Sequence, residues 1–292
     1  MLISGLSLGC IYALIAMGFV IVFKATNVVN FAHASVVWLG AYIVARLHDD
    51  VAFGVAVAIA AAACALVAAL LDVIFVRPLR RRRGGLDALA ILTIGINVLV
   101  GTEMSRRIGT DILNTGAPWG SDTLHLFGTN VPQTRIAAAL IAIVLMAAFW
   151  AAFRFSDWGV AMRATASDAE TAALMGIRLP RIAAGAWAVA GVLAAIGGTF
   201  LTSFPASGVN NQTGLLALTA IPAAVLGGLD SIAGAVVGGL AIGIAVTFAA
   251  GYQSEISFLG RGLSEVVPYI VLLGVLLWRP AGLFGSREIS RV

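Results

Sequence analysis

RFSDWGVAMRATASDAETAALMGIRLPR, residues Arg154 to Arg181, is the longest polar interruption in the second half of the chain. It separates two apolar runs, IAAALIAIVLMAAFWAAF (Ile136 to Phe153) and IAAGAWAVAGVLAAIGGTFLTSF (Ile182 to Phe204). Each run approaches the ~20 apolar residues that a helix needs to cross a bilayer. Inside the polar stretch a short helix is legible. Ser167, with Glu170 three residues on, has the spacing of a capping box, in which each side chain bonds the other residue's backbone N–H. Ala169, Thr171, Ala172, Ala173, Leu174 and Met175 follow. Gly176 then stands at the C-terminal cap position, with Pro180 beyond it. Such a helix in a loop between spans is either a solvated connector or a surface that touches a partner.

Composition extends this reading to the whole chain. Of 292 residues, 60% are hydrophobic and 11% charged, and the mean hydropathy is +1.00. Soluble domains carry about 25% charged residues, so the chain reads as an all-α polytopic membrane protein without a soluble domain. The opening MLISGLSLGCIYALIAMGFVIVF lacks a basic start and a small-residue cleavage site, and is expected to be a retained span. Cys10 and Cys64 both lie in apolar runs, which argues against a disulfide or a metal site.

Nine segments can be cut from the sequence, within a range of about eight to ten spans, some short or broken. They are Leu2–Phe23, Phe31–Ala45, Val51–Val76, Leu86–Thr102, Ile136–Phe153, Ile182–Phe204, Leu215–Leu229, Ile232–Ala250 and Ser264–Trp278. Pro222 makes the seventh a candidate half-span or kinked span. Gly234/Gly238 and Gly239/Gly243 have the small-xxx-small spacing that lets helix backbones approach closely. Glu103 to Arg135 is expected to be a polar loop.

The basic residues orient this arrangement. Alternating the connections puts Lys24, the Arg77–Arg83 cluster, the Arg154–Arg181 loop and the C-terminal tail on one side. That side holds thirteen of the 18 Lys and Arg residues, which marks it as cytoplasmic. The N-terminus and the 103–135 loop are then extracytoplasmic. The same orientation signal explains the sequence pI near 9.6 without nucleic acid.

No catalytic constellation stands out. The three histidines are scattered, and Lys24, the sole lysine, follows no glycine loop, so a phosphate-binding P-loop is excluded. The polar residues near membrane depth lie in NVVNFAHASVVWLGAY, where Asn27, Asn30, His33 and Ser35 flank or enter the second span. Polar groups at that depth face protein or a water-filled cavity. They either contact a solute or satisfy backbone freed where a helix begins. Thr93 and Asn97, four apart, form a second polar stripe suited to a helix–helix hydrogen bond. Asp72, one turn from Arg77, is expected to be paired or hydrated near the interface.

Several blocks together resemble the permease subunits of branched-chain amino acid ABC importers. They are GLSLGCIYALIAMGFVIVFKATNVVNFAHASVVWLGAY (Gly5 to Tyr42), VRPLR (Val76 to Arg80), RATASDAETAALMGI (Arg163 to Ile177), AVLGGLDSIAGAVVGGLAIG (Ala224 to Gly243) and RPAGLFG (Arg279 to Gly285). They occur in the family's order along essentially the whole chain, taken as one permease domain (1–292). Departures fall at Ala34 and Ser35, where the family often has Gly and an acidic residue. Another is Asp230 to Ala235, where it commonly reads GSIPGA. The first leaves the cargo open.

The resemblance implies an ABC importer permease fold and no enzymatic activity in this chain. It implies two cytoplasmic ATPase subunits that bind ATP and Mg, a second related permease, and an extracytoplasmic binding protein. It places the ATPase-coupling helix at Asp168 to Gly176, with Ala169, Ala172 and Ala173 as a small seating face and Leu174 beside them. Arg163, Asp168, Glu170 and Arg178 are then available to a partner's charges. A nucleotide-independent transporter or channel is the competing class, whose expected mark is a mid-membrane carboxylate or a broken helix poised over an ion.

Overall fold

The computed structural model describes residues 1–82, 84–116, 123–126, 129–203, 208–255 and 262–285. Each of the nine apolar segments contains helix among the described residues. They form α1 (Leu2–Thr26), α2 (His33–Leu47), α3 (Phe53–Leu71), α5 (Leu86–Ile108), α6 (Gln133–Phe155), α9 (Leu179–Ser203), α10 (Thr213–Leu218) with α11 (Ala220–Gly227), α12 (Ile232–Gly251) and α13 (Leu263–Trp278). Among the described residues six helices are long and apolar enough to cross a membrane, counting α3 and its continuation as one 29-residue rod, Phe53–Arg81. That continuation is a π-helical turn, Asp72–Val76, followed by α4 (Arg77–Arg81). Pro78 has no N–H to offer the Ile74 carbonyl, and the backbone widens just before it, as helices do at such interruptions.

Two expectations need correction. The 103–135 stretch is not all loop, because α5 continues through Ile108, and Glu103 bridges Arg106 and Arg107 at 2.9 and 2.6 Å on its last turns. Beyond it lies a small antiparallel hairpin of β1 (Thr123–Leu126) and β2 (Thr129–Pro132). The polar stretch before the short helix also holds a helix of its own, α7 (Asp157–Ser167), capped by Ser156, whose Oγ accepts from the Gly159 N–H at 3.1 Å. The short helix itself is α8 (Ala169–Leu174).

The centre of the bundle is α1, whose side chains from Leu8 to Val22 are almost wholly buried. It is fastened to α12 by glycine. A Cβ at Gly243 would meet the backbone N of Gly9 at 2.2 Å, and one at Gly239 would meet Cα of Ala13 at 2.4 Å. The other small-xxx-small pair faces α11: Cβ atoms at Gly234 and Gly238 would each lie 2.1 Å from a carbonyl, those of Gly227 and Ala223. The two motifs on α12 therefore pack two different helices of the same chain. On the other flank α9 packs against α1, α2 and α3, with Trp187 fully enclosed.

Contacts between connections sort the bundle's ends into two sets. At one end Lys24 Nζ donates to the Asp230 carbonyl at 2.6 Å and Arg77 Nη2 to the Pro180 carbonyl at 2.9 Å. There the Leu283 and Phe284 amides bond the last carbonyls of α11, those of Leu226 and Gly227. At the other end Leu113 and Val209 exchange backbone bonds, Asn211 Nδ2 reaches the Gly109 carbonyl, and Ser7 Oγ donates to the Arg135 carbonyl. Alternating the connections groups them in the same two sets.

The second span is only partly helical. With 15 residues, α2 is about 22 Å long, short of the ~30 Å hydrocarbon thickness. The chain before it is non-helical yet buried at Val28, Asn30 and Ala32. The reversal that leads there is made by Asn27, in the left-handed region at φ 53° and the one non-glycine residue with positive φ among those described. Asparagine tolerates that region better than most side chains. Asn27→Val is expected to cost about 1–2 kcal/mol, and Asn27→Gly close to nothing, read as detergent-solubilised thermal midpoints. A second break, at Thr219 between α10 and α11, lies three residues before Pro222, which cannot bond the Leu218 carbonyl.

Candidate functional site

The non-helical entry to α2 is held by its neighbours. Thr93 of α5 is fully buried; its Oγ1 accepts from the Phe31 N–H at 3.3 Å and lies 3.2 Å from the Val29 carbonyl. The hydroxyl thus serves backbone that no helix satisfies, which is how irregular chain persists at membrane depth. His33 Nε2 donates to the Ile15 carbonyl at 3.2 Å, which fixes the tautomer with hydrogen on Nε2, and its ring meets Phe19 edge-on at 4.6 Å. The ring lies over Gly18, where any Cβ would come within 2.4 Å of the imidazole. Ser35 Oγ closes on the Ala32 carbonyl. Asn30 is buried, and its Oδ1 has no partner among the described residues. Asn27 is exposed at the end of α1.

Thr93 and Asn97 accordingly do different work. Thr93 clamps backbone rather than bridging two helices through side chains. Asn97, one turn on, faces an open groove of about 330 Å³ with Trp38, Thr102, Ser105, Asn211 and Gly214. The indole of Trp38 is 4% exposed, its Nε1 has no partner among the described residues, and it packs so closely on Gly214 that a Cβ there would approach to 2.9 Å. The groove is bounded by α2, α5 and α10, and the half-helix α10 ends at the Thr219 break. Its polar lining is uncharged. Such a surface can hydrogen-bond a small polar solute without gripping it by ion pairs.

Away from this groove, α8 is a helix capped at both ends. The cap is Asp168, one residue later than the sequence spacing indicates; Ser167 ends α7. Asp168 is extended (φ −156°, ψ 105°), and its Oδ1 accepts from the N–H groups of Glu170 (3.0 Å) and Thr171 (3.2 Å). At the far end the Gly176 N–H bonds Ala173 and the Ile177 N–H bonds Ala172, with Gly176 at φ 88°. This is a Schellman closure, which needs a left-handed residue at Gly176.

The side chains of α8 divide sharply. Ala172 is buried, so of the three alanines Ala169 and Ala173 face outward. Leu174 and Met175 are 88% and 80% exposed, and Glu170 is exposed. Arg163 lies on α7, where its Nη1 donates to the Phe153 carbonyl at the end of α6 and its guanidinium stacks 5.5 Å from the Phe153 ring. Its first task is therefore inside the chain.

The Thr171 hydroxyl, then the Thr171 and Glu170 amides, hold the Asp168 carboxyl below the usual carboxylate range. A depressed folded-state pKa stabilises above the unfolded value and is lost as pH falls through the folded one. Amide-exchange protection at Glu170 and Thr171 is expected to be constant from about pH 5 upward and to collapse in acid. In Asp168→Ala it should be low throughout.

Sequence reasoning did not find Trp38, Thr102, Ser105 or Asn211 as groove residues, nor the π turn at Asp72. The expectation that Asp72 is paired holds: it is buried and accepts from Arg77 Nη2 at 3.3 Å. Among the described residues no group of His, Cys, Asp and Glu could hold a metal ion.

A bundle of spanning helices, with irregular backbone at membrane depth and an exposed capped helix at one end, defines a polytopic α-helical membrane protein. The family model described as branched-chain amino acid transport system / permease component matches residues 1–276, and the chain belongs to that family. It is 30% identical to the high-affinity branched-chain amino acid transport system permease protein LivH of Escherichia coli K12, over 99% of this chain and 96% of the relative. It is 29% identical to BraD of Pseudomonas aeruginosa, over 100% and 97%. The probable branched-chain amino acid transport permease protein LivH of Methanocaldococcus jannaschii is 26% identical over 93% and 88%. No solved structure matches the chain significantly.

Proposed function

We propose that the chain is the plasma-membrane subunit of an ATP-driven importer for a branched-chain amino acid or a similar small polar solute. The observation that carries this reading is α8: a helix capped at both ends, presenting Leu174 and Met175 to the outside in a chain of the branched-chain permease family. A solvated connector has no use for two large apolar side chains. In this reading α8 docks on a cytoplasmic ATPase subunit, of which two bind ATP and Mg. A second, related permease completes the pathway, and an extracytoplasmic binding protein delivers the solute. The end holding Lys24, Arg77 and α8 faces the cytoplasm, and the N-terminus and the strands β1 and β2 face outward.

The groove of Trp38 and Asn97 is then part of the solute pathway, opened to one side and the other in turn as the helices tilt as rigid bodies. Arg77 joins the first turn of α9, which follows directly on α8, to the Asp72 π turn, a mechanical route from the docking helix into α3. Asn97→Leu is expected to lower uptake about tenfold while leaving the thermal midpoint and partner binding unchanged, measured in proteoliposomes.

The deciding experiment is purification from native membranes with identification of the associated subunits, followed by ATPase and uptake assays. An ATPase and a second permease recovered with the chain, with uptake dependent on ATP, is the expected result. A chain that purifies alone and moves solute without nucleotide would establish the channel or secondary-transporter class instead.

A further inference from the structure

Beneath the α8–α9 turn lies a cavity of about 690 Å³ whose lining includes Arg77, Arg80, Arg81, Arg178, Arg181 and a single carboxylate, Asp72. That carboxylate is engaged by Arg77 Nη2, which also holds the Pro180 carbonyl. Arg80 is different. Its Nε and Nη2 are buried and have no hydrogen-bond partner among the described residues, and the same is true of Arg77 Nε. Buried guanidinium N–H groups without acceptors are costly. The remaining arginines, Arg81, Arg178 and Arg181, are exposed and ring the same space.

The acceptor that suits this arrangement carries several anionic oxygens, because the planar guanidinium fork matches carboxylate and phosphate geometry. Location selects between them. The cavity sits at the end of the Phe53–Arg81 span, and on the same π turn Val73, Ile74 and Phe75 are exposed, an apolar strip suited to acyl chains. A basic pocket between helices at the bilayer surface, beside lipid-facing side chains, is a setting for an anionic headgroup. We propose that this cavity binds the phosphate of an anionic phospholipid, with Arg80 as its inner donor and Arg178 and Arg181 at its mouth. The bound phosphate ties α4 to the α8–α9 turn. The inference requires a bilayer but not the importer reading, and fails or stands separately from it.

The test uses the full chain in detergent, followed by native mass spectrometry after addition of dioleoyl phosphatidylglycerol or dioleoyl phosphatidylcholine. Phosphatidylglycerol should be retained about tenfold over phosphatidylcholine, and Arg80→Gln/Arg178→Gln should remove that preference. Arg82→Gln, exposed and outside the lining, should keep it. Arg178→Gln alone changes a mouth residue without touching the packed wall; it should show a partial loss even if the double variant fails to fold. Inorganic phosphate at millimolar concentration should not displace the lipid; displacement would mean a free-anion site and overturn the lipid assignment. Equal retention of both lipids, or full retention by the arginine variants, overturns the proposal. So does loss of a co-purifying ATPase with lipid retention unchanged, since the arginines would then serve a protein carboxylate.

Discussion

Gly243→Leu is expected to prevent α1 and α12 from packing and to leave little folded protein. The argument is geometric. A Cβ at 243 would lie 2.2 and 2.3 Å from the N and Cα of Gly9 and 2.8 Å from the Gly5 carbonyl. All three are backbone atoms of the most enclosed helix, so no rotamer change relieves the clash. Overpacking a core costs about 1–3 kcal/mol when side chains can yield; with backbone on both sides the helices must separate along the whole seam. In lipid that seam has little hydrophobic force to compensate, because association there depends on close van der Waals packing. Fluorescence-detected size-exclusion chromatography after a heating series is the measurement. Gly274→Leu on α13, with nothing within 4 Å of the added Cβ, is the matched control and should behave as wild type.

The second large effect is expected from Leu174→Asp/Met175→Asp. Both side chains are almost fully exposed, so the change removes no internal packing, and the thermal midpoint should be unaltered. If α8 docks on an ATPase, two apolar anchors become charges that the interface must desolvate. Central interface residues of this kind are each worth about 2 kcal/mol or more, so the loss of one anchor alone puts the expected fall in ATP-driven uptake at roughly 30-fold, and the loss of both, if additive, at about 1000-fold. ATPase subunits should also fail to co-purify. Normal uptake by a stable double variant would remove α8 from the coupling route.

The two surfaces differed in how far the sequence disclosed them. The spans were legible because a bilayer crossing demands a long run of apolar residues, which can be counted locally. The capped helix was legible too, since Gly176 and an N-cap residue bracket it. Its start was misplaced by one because Ser167 and Asp168 are both good caps, and the choice rests on which of them is extended. Helix α7 escaped notice because it is short, and because Gly159, a poor helix former, stands in its first turn. The groove was illegible for another reason. Trp38 and Gly214 meet across the fold, and neither carries a local mark of the other. The same holds for Thr93, whose service to the Val29–Phe31 backbone depends on α2 starting late.

The seam of α1 and α12 has a consequence for how the chain is made. Gly9 and Gly243 are 234 positions apart, which at ~5–20 residues per second is roughly 10–50 s of synthesis. Helix α1 therefore waits about that long in the bilayer with its glycine face open to lipid. The Leu283 and Phe284 amides that finish α11 arrive later still. The seam closes only once α12 has followed, and a chain cut before α12 that inserts correctly is still without the helix that α1 packs against.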